Sequence, residues 1–256
     1  MTDPSQPGVR HVAASRPLQW LALGWRDFLR APVASGAHGL LVAVGGIAIL
    51  ALALRFLPLL PGAFSGFVLI GPVLATGLYE ISRRQGRGER PTLAHVAGAW
   101  RRGTRPLVWL GLLLLAAGTA WVLVSSLLFG LFVHQSIDGP VAFVRYAVVQ
   151  QGWLPFLLWI ILGGLGSALV FALTAVSPPL LLERDVPLRP ALLASVRAVG
   201  DNPVTMAVWA ALIMVATALS IATAMIGFIV TIPVIGHATW HAYRELIDAD
   251  RLPLRH

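Results

Sequence analysis

Three ionisable side chains near the end of the chain, His237, His241 and Glu245, are spaced four residues apart. On a helix that spacing stacks them along one face, one turn after another. Two imidazoles and a carboxylate form a donor set for zinc or another divalent metal. His38, near the other end, adds a second chemistry: with His237 or His241 it supplies neutral imidazoles from two helices, the arrangement that ligates haem iron axially. The bland alternative is that all three histidines simply hydrogen bond inside the bundle or near its polar edge. Other chemistries are excluded by composition. There is no Cys, hence no thiolate nucleophile, Cys-ligated zinc or iron–sulfur cluster. All 19 basic residues are Arg, which removes Schiff-base and P-loop lysines. No HExxH, GxSxG or glycine-rich nucleotide loop occurs, and no acid, base and nucleophile set is apparent.

These side chains must be carried by apolar helices. Of the 256 residues 57% are hydrophobic and 12% charged, whereas about a quarter of a soluble domain is charged. A membrane-crossing helix needs about 20 mostly apolar residues, and such runs are predicted at 33–54, 63–81, 107–133 and 153–182. The stretch 204–243 holds no formally charged residue. As one straight helix it would extend about 60 Å, twice the roughly 30 Å of a hydrocarbon core. A fold-back between Ser220 and Gly227 is therefore expected, giving spans at 204–220 and 224–243; a five-span chain with one very long last helix is the alternative. The fold class is all-α, a polytopic helical membrane protein of six spans. Residues 1–16 read as a disordered tail, 17–246 as one transmembrane domain and 247–256 as a cytoplasmic tail. No Asp or Glu falls in the middle of a span, which disfavours proton-coupled transport through buried carboxylates.

Arginine placement sets the expected orientation, because short cytoplasmic loops are enriched in basic residues. Arg83, Arg84, Arg87, Arg90, Arg101, Arg102 and Arg105 share a side with both termini, and only Arg55 and Arg145 fall opposite. Both termini are thus predicted to be cytoplasmic, in a multi-pass protein of the bacterial inner membrane. The N-terminal residues lack the pattern of a removable signal peptide. The net charge of +8 fits topology and attraction to anionic lipid, not nucleic-acid binding.

Three segments align on a final proline: LALGWRDFLRAP ending at Pro32, HVAGAWRRGTRP ending at Pro106 and LLASVRAVGDNP ending at Pro203. Gly24, Gly98 and Ser195 share a column. Each segment precedes two apolar runs, and the second of each pair carries a proline, Pro72, Pro178 or Pro233. The pattern predicts three tandem hairpins, each preceded by an interfacial amphipathic helix. In the first such helix Gln19, Arg26 and Arg30 share a narrow sector, with Leu21, Trp25, Phe28 and Leu29 on the other side, as in a helix lying among headgroups. The hairpins exit at Glu80 with Arg83, Glu183 with Arg184, and Arg244 with Glu245, a candidate cytoplasmic charged cluster. Its alternative is a set of solvated helix ends with arginine favouring the negative pole.

The motifs IGPVLATGLYE (70–80), VSPPLLLER (176–184), Asn202 with Pro203, and GHATWHAYR (236–244) resemble a bacterial family of integral membrane proteins catalogued as domain of unknown function 2189. The resemblance spans about 20–246. Some members carry the label cytochrome c oxidase subunit, but the oxidase catalytic subunit is a larger bundle with histidine ligands on several helices, which this chain does not match. The family implies topology and no activity. The functional expectation is a non-enzymatic scaffold, assembly factor or small-solute pathway. Its partners would be the bilayer and a membrane protein or second copy. The alternative is a respiratory accessory protein binding haem or metal through His38, His237 and His241.

Overall fold

The computed structural model describes residues 7–55, 75–101, 104–132 and 153–255. The parts of the expected second span before residue 75, and the segment 134–152 with His134 and Arg145, lie outside them. The described helices are α1 (Arg16–Arg30), α2 (Pro32–Arg55), α3 (described over 75–86), α4 (Leu93–Arg101), α5 (Arg105–Phe132), α6 (Trp153–Thr174), α7 (Ser177–Glu183), α8 (Leu188–Asp201), α9 (Pro203–Ala222) and α10 (Phe228–Leu246). Strand β1 (Gly8–Val9) pairs antiparallel with β2 (Ile247–Asp248), Val9 facing Ile247.

Four stretches among the described residues are long and apolar enough to cross a membrane: Pro32–Ile49, Arg105–Phe132, Trp153–Glu183 and Pro203–Ala222. Their outward side chains are large and apolar, including Leu123, Leu165 and Met214, each more than 60% exposed. A continuous apolar belt of this kind suits lipid as its solvent and not water.

Helix boundaries follow from local chemistry. Pro32 and Pro203 open α2 and α9, where a missing N–H costs nothing and the fixed φ favours the first turn. Pro106 is the second residue of α5. The apolar stretch at the end of the chain is not one long helix: α9 stops at Ala222 and α10 starts at Phe228, inside the expected window. The reversal uses no proline. Ala224 and Met225 take left-handed φ values of 50° and 68°, and Thr223 Oγ1 accepts from the Gly227 N–H at 3.1 Å. Ser220 Oγ and Thr231 Oγ1 lie 2.7 Å apart across the turn. At Gly227 an added Cβ would sit 2.8 Å from Ser220 Cα, so closure requires glycine there. Trp20 meets Trp209 near the start of α9, edge to face at 5.8 Å, and donates to Glu245 at the end of α10. The two helices therefore run antiparallel.

The core gathers Trp20, Leu180, Leu181, Met206, Trp209 and Tyr243, each at most 1% exposed. Helix α1 lies along α10, and α10 packs on α2. Helix α8 lies on α6 and α7. Val96 of α4 joins a small cluster with Ile81 of α3, Ala31 and Ala34.

Residues 7–15, expected to form part of a disordered tail, are held in place. Asn202 is the clamp: its Oδ1 accepts from the Val12 N–H at 2.8 Å and its Nδ2 donates to the Arg10 carbonyl at 3.1 Å. The end of the chain is held likewise, with Arg184 Nη1 donating to the Leu252 carbonyl at 2.7 Å and Ile247, Ala249 and Leu252 buried.

Candidate functional site

The three residues four apart on α10 do face one way, and each turn meets a different partner. His237, fully buried, has both ring nitrogens engaged: Nε2 lies 2.9 Å from Ser35 Oγ on α2 and Nδ1 lies 2.8 Å from Ser82 Oγ on α3. One turn on, His241 Nε2 donates to Asp27 Oδ2 on α1 at 2.8 Å. Another turn on, Glu245 forms an ion pair with Arg16 and accepts from Trp20 Nε1 at 2.6 Å. Gln85 of α3 donates to the Asp27 carbonyl at 3.0 Å, tying the end of α1 to the same seam.

Small residues permit these approaches. An added Cβ on Gly24 of α1 would lie 2.5 Å from the Val234 carbonyl oxygen and 2.8 Å from the Ala238 nitrogen. On α2, a Cβ at Gly39 would overlap the Ile229 carbonyl, the group that Pro233 leaves without its helical donor one turn back. Close backbone contact through glycine is the usual route to tight helix packing in lipid.

The seam has a definite hydrogen-bond polarity. An ionised carboxylate only accepts, so Ser82, which bonds to Asp27, donates its hydroxyl proton there. Ser82 Oγ then accepts from His237 Nδ1–H, leaving Nε2 to accept from Ser35. A neutral imidazole with one donor and one acceptor nitrogen satisfies the whole row. Burial pushes the Asp27 carboxyl up, but the hydrogen bond and charge of His241, with the Ser82 bond, hold it below the ordinary carboxylate value.

The row Ser35–His237–Ser82–Asp27 contains the residue types of a hydrolytic relay, but Ser35 and His237 are both fully buried. A groove of about 780 Å³ between α5 and α6 is lined by Trp121, Trp159, Gly163, Ser167, Phe171 and Thr174, with no ionisable side chain in its wall.

His38 is buried beside Ser35, one turn along α2, with Nδ1 donating to the Ala34 carbonyl at 2.6 Å. Helices α2 and α10 therefore do meet near their histidines, with Ser35 and not His38 bonding to His237. Among the described residues no group of three His, Asp or Glu side chains is placed to hold a metal. His237, His241 and Glu245 instead serve three separate partner sets. The charged cluster is likewise divided. Glu80 binds Arg83 and Arg84 of its own helix at 2.7 and 2.8 Å. Glu183 accepts from Tyr243 Oη at 2.6 Å and from Arg244 at 3.2 Å, with Arg184 alongside at 3.5 Å.

Asp27, Ser35 and Ser82 were not singled out from sequence. Asp27 alone carried a signal, an acid about a quarter-turn of α1 away from the Arg26 and Arg30 sector. The serines carried none, since isolated hydroxyls in apolar helices are common.

Apolar helices with outward-facing leucines, and polar side chains turned inward to one another, define an integral α-helical membrane protein. Residues 59–183 match the family described as predicted integral membrane protein (DUF2189). The matched segment includes the motifs at 70–80 and 176–183 and excludes the histidine motif at 236–244. Comparisons with curated proteins and with solved structures give no match.

Proposed function

We propose that this chain is a non-enzymatic scaffold of the bacterial inner membrane, built from three tandem units and closed into a ring. Each unit consists of a short interfacial helix followed by a hairpin of spans, six in all, with both termini in the cytoplasm. The observation that carries this reading is the packing of α1, from the first unit, along α10, from the last. Two further contacts support the same order. Ser195 of α8 accepts from the Val176 N–H at 3.2 Å, while Gly24 of α1 abuts Val234. Gly24 and Ser195 share a repeat column.

A scaffold is favoured over a solute pathway because, among the described residues, His237, His241 and Glu245 pair with side chains of other helices. It is favoured over haem binding because both His237 nitrogens are committed to serines, so neither presents a free lone pair to iron. Reporter fusions in the loops and after the C-terminus test the topology. Cytoplasmic signal at both ends and in the loop at 87–92 is expected, and an external C-terminus would overturn six spans.

A further inference from the structure

Helix α1 has three faces, and among the described residues only one is packed against the rest of the protein. At about 100° per residue, Trp20, Gly24 and Asp27 fall on the buried side against α10. Leu18, Trp25 and Leu29, exposed by 60%, 46% and 57%, form a second, apolar stripe. Gln19, Arg26 and Arg30 are exposed along a third stripe roughly a quarter-turn from the second. Among the described residues neither Arg26 nor Arg30 has an ion-pair or hydrogen-bond partner. Only Ala31 separates α1 from α2, whose apolar run begins at Pro32, so the depth of α1 is fixed at the membrane boundary. An apolar stripe beside a cationic one at that depth places the first among acyl chains and the second among phosphates.

We infer that the outward face of α1 is a seat for anionic phospholipid headgroups, with Arg26 and Arg30 as the phosphate contacts and Leu18, Trp25 and Leu29 as the apolar anchor. This rests on the membrane reading above. Guanidinium forks match phosphate oxygens in pairs, and the inner leaflet carries the complementary charge. Because the opposite face of α1 holds Asp27 against His241, occupancy of the seat steadies the buried seam.

The test is thermal unfolding of the full-length protein in nanodiscs of phosphatidylcholine, alone or mixed with phosphatidylglycerol. The mixture should raise the midpoint by several degrees, and concentrated salt should remove the gain. The Arg26→Gln/Arg30→Gln variant should lose most of it, while Arg87→Gln, an exposed arginine in the turn after α3, should keep it. Equal loss in both variants would overturn a seat on α1 in favour of diffuse charge attraction. Insertion without any phosphatidylglycerol dependence would overturn the seat and leave the membrane reading standing. A protein that stays dispersed in buffer without amphiphile would overturn both.

Discussion

The bond from His241 Nε2 to Asp27 Oδ2, 2.8 Å long, joins the last helix to the first across 214 positions of sequence. It fixes α1 by its inner face and leaves the outer face for lipid. It also makes the stability of the bundle depend on the charge of one carboxylate that is only 2% exposed.

Since the Asp27 carboxyl is held below its ordinary value in the fold, its contribution is fully present above about pH 4, the value of an unfolded aspartate. That contribution is lost as pH falls through the lower folded-state value. Detergent-solubilised protein should therefore lose thermal stability on acidification below that range. Asp27→Asn should be less stable at neutral pH and show a flatter acid limb; an acid limb unchanged in the variant would remove Asp27 from this role.

The polarity of the serine–histidine row predicts an order of effects. Interhelical hydrogen bonds in lipid contribute ~0.6–2 kcal/mol each. Ser35→Ala removes one donor to His237 Nε2, whereas Ser82→Ala strips a donor from Asp27 and an acceptor from His237 Nδ1–H, so it should cost more. His237→Ala should be the most damaging, by ~2–4 kcal/mol once the void is included. Chemical denaturation of the three variants measures the ranking, and Ser35→Ala exceeding Ser82→Ala would reverse the assigned polarity.

At Gly24 the atoms in the way of a methyl group belong to the backbone of α10 and cannot rotate aside. Gly24→Ala should thus destabilise by ~1–3 kcal/mol through forced separation of α1 and α10. Gly200 has open space around its missing Cβ, so Gly200→Ala should be neutral or slightly stabilising. Midpoints measured side by side separate close packing from a general intolerance of alanine.

Because the natural chain has no cysteine, engineered pairs report contacts without background. Val9→Cys with Ile247→Cys, facing each other in the β1–β2 ribbon, should oxidise to an intramolecular disulfide in membranes. Val9→Cys with Leu165→Cys, on an outward face of α6, should not. Failure of the first pair would open the proposed ring at its termini.

With both His237 nitrogens bonded to serines, protein purified in detergent is expected to lack a Soret band and to gain none on addition of hemin. A band that disappears in His237→Ala would instead establish the haem reading.

Much of the helix plan follows from composition and local chemistry. The apolar runs at 33–54, 107–133 and 204–220 coincide with α2, α5 and α9, each long and apolar enough to cross a membrane, and 224–243 overlaps α10, because apolar length and proline position are local properties that chain neighbours enforce. The run 153–182 is divided at Ala175 and Val176 into α6 and α7, just before the two prolines. The spacing of His237, His241 and Glu245 correctly put them on one face. What that face meets could not be deduced from spacing, since Ser35, Ser82, Asp27 and Arg16 belong to segments more than 150 residues away along the chain. Long-range packing chose those partners. The same reason applies at residues 7–15, which carry no apolar periodicity of their own: Asn202, distant in sequence, supplies the hydrogen bonds that water would otherwise provide.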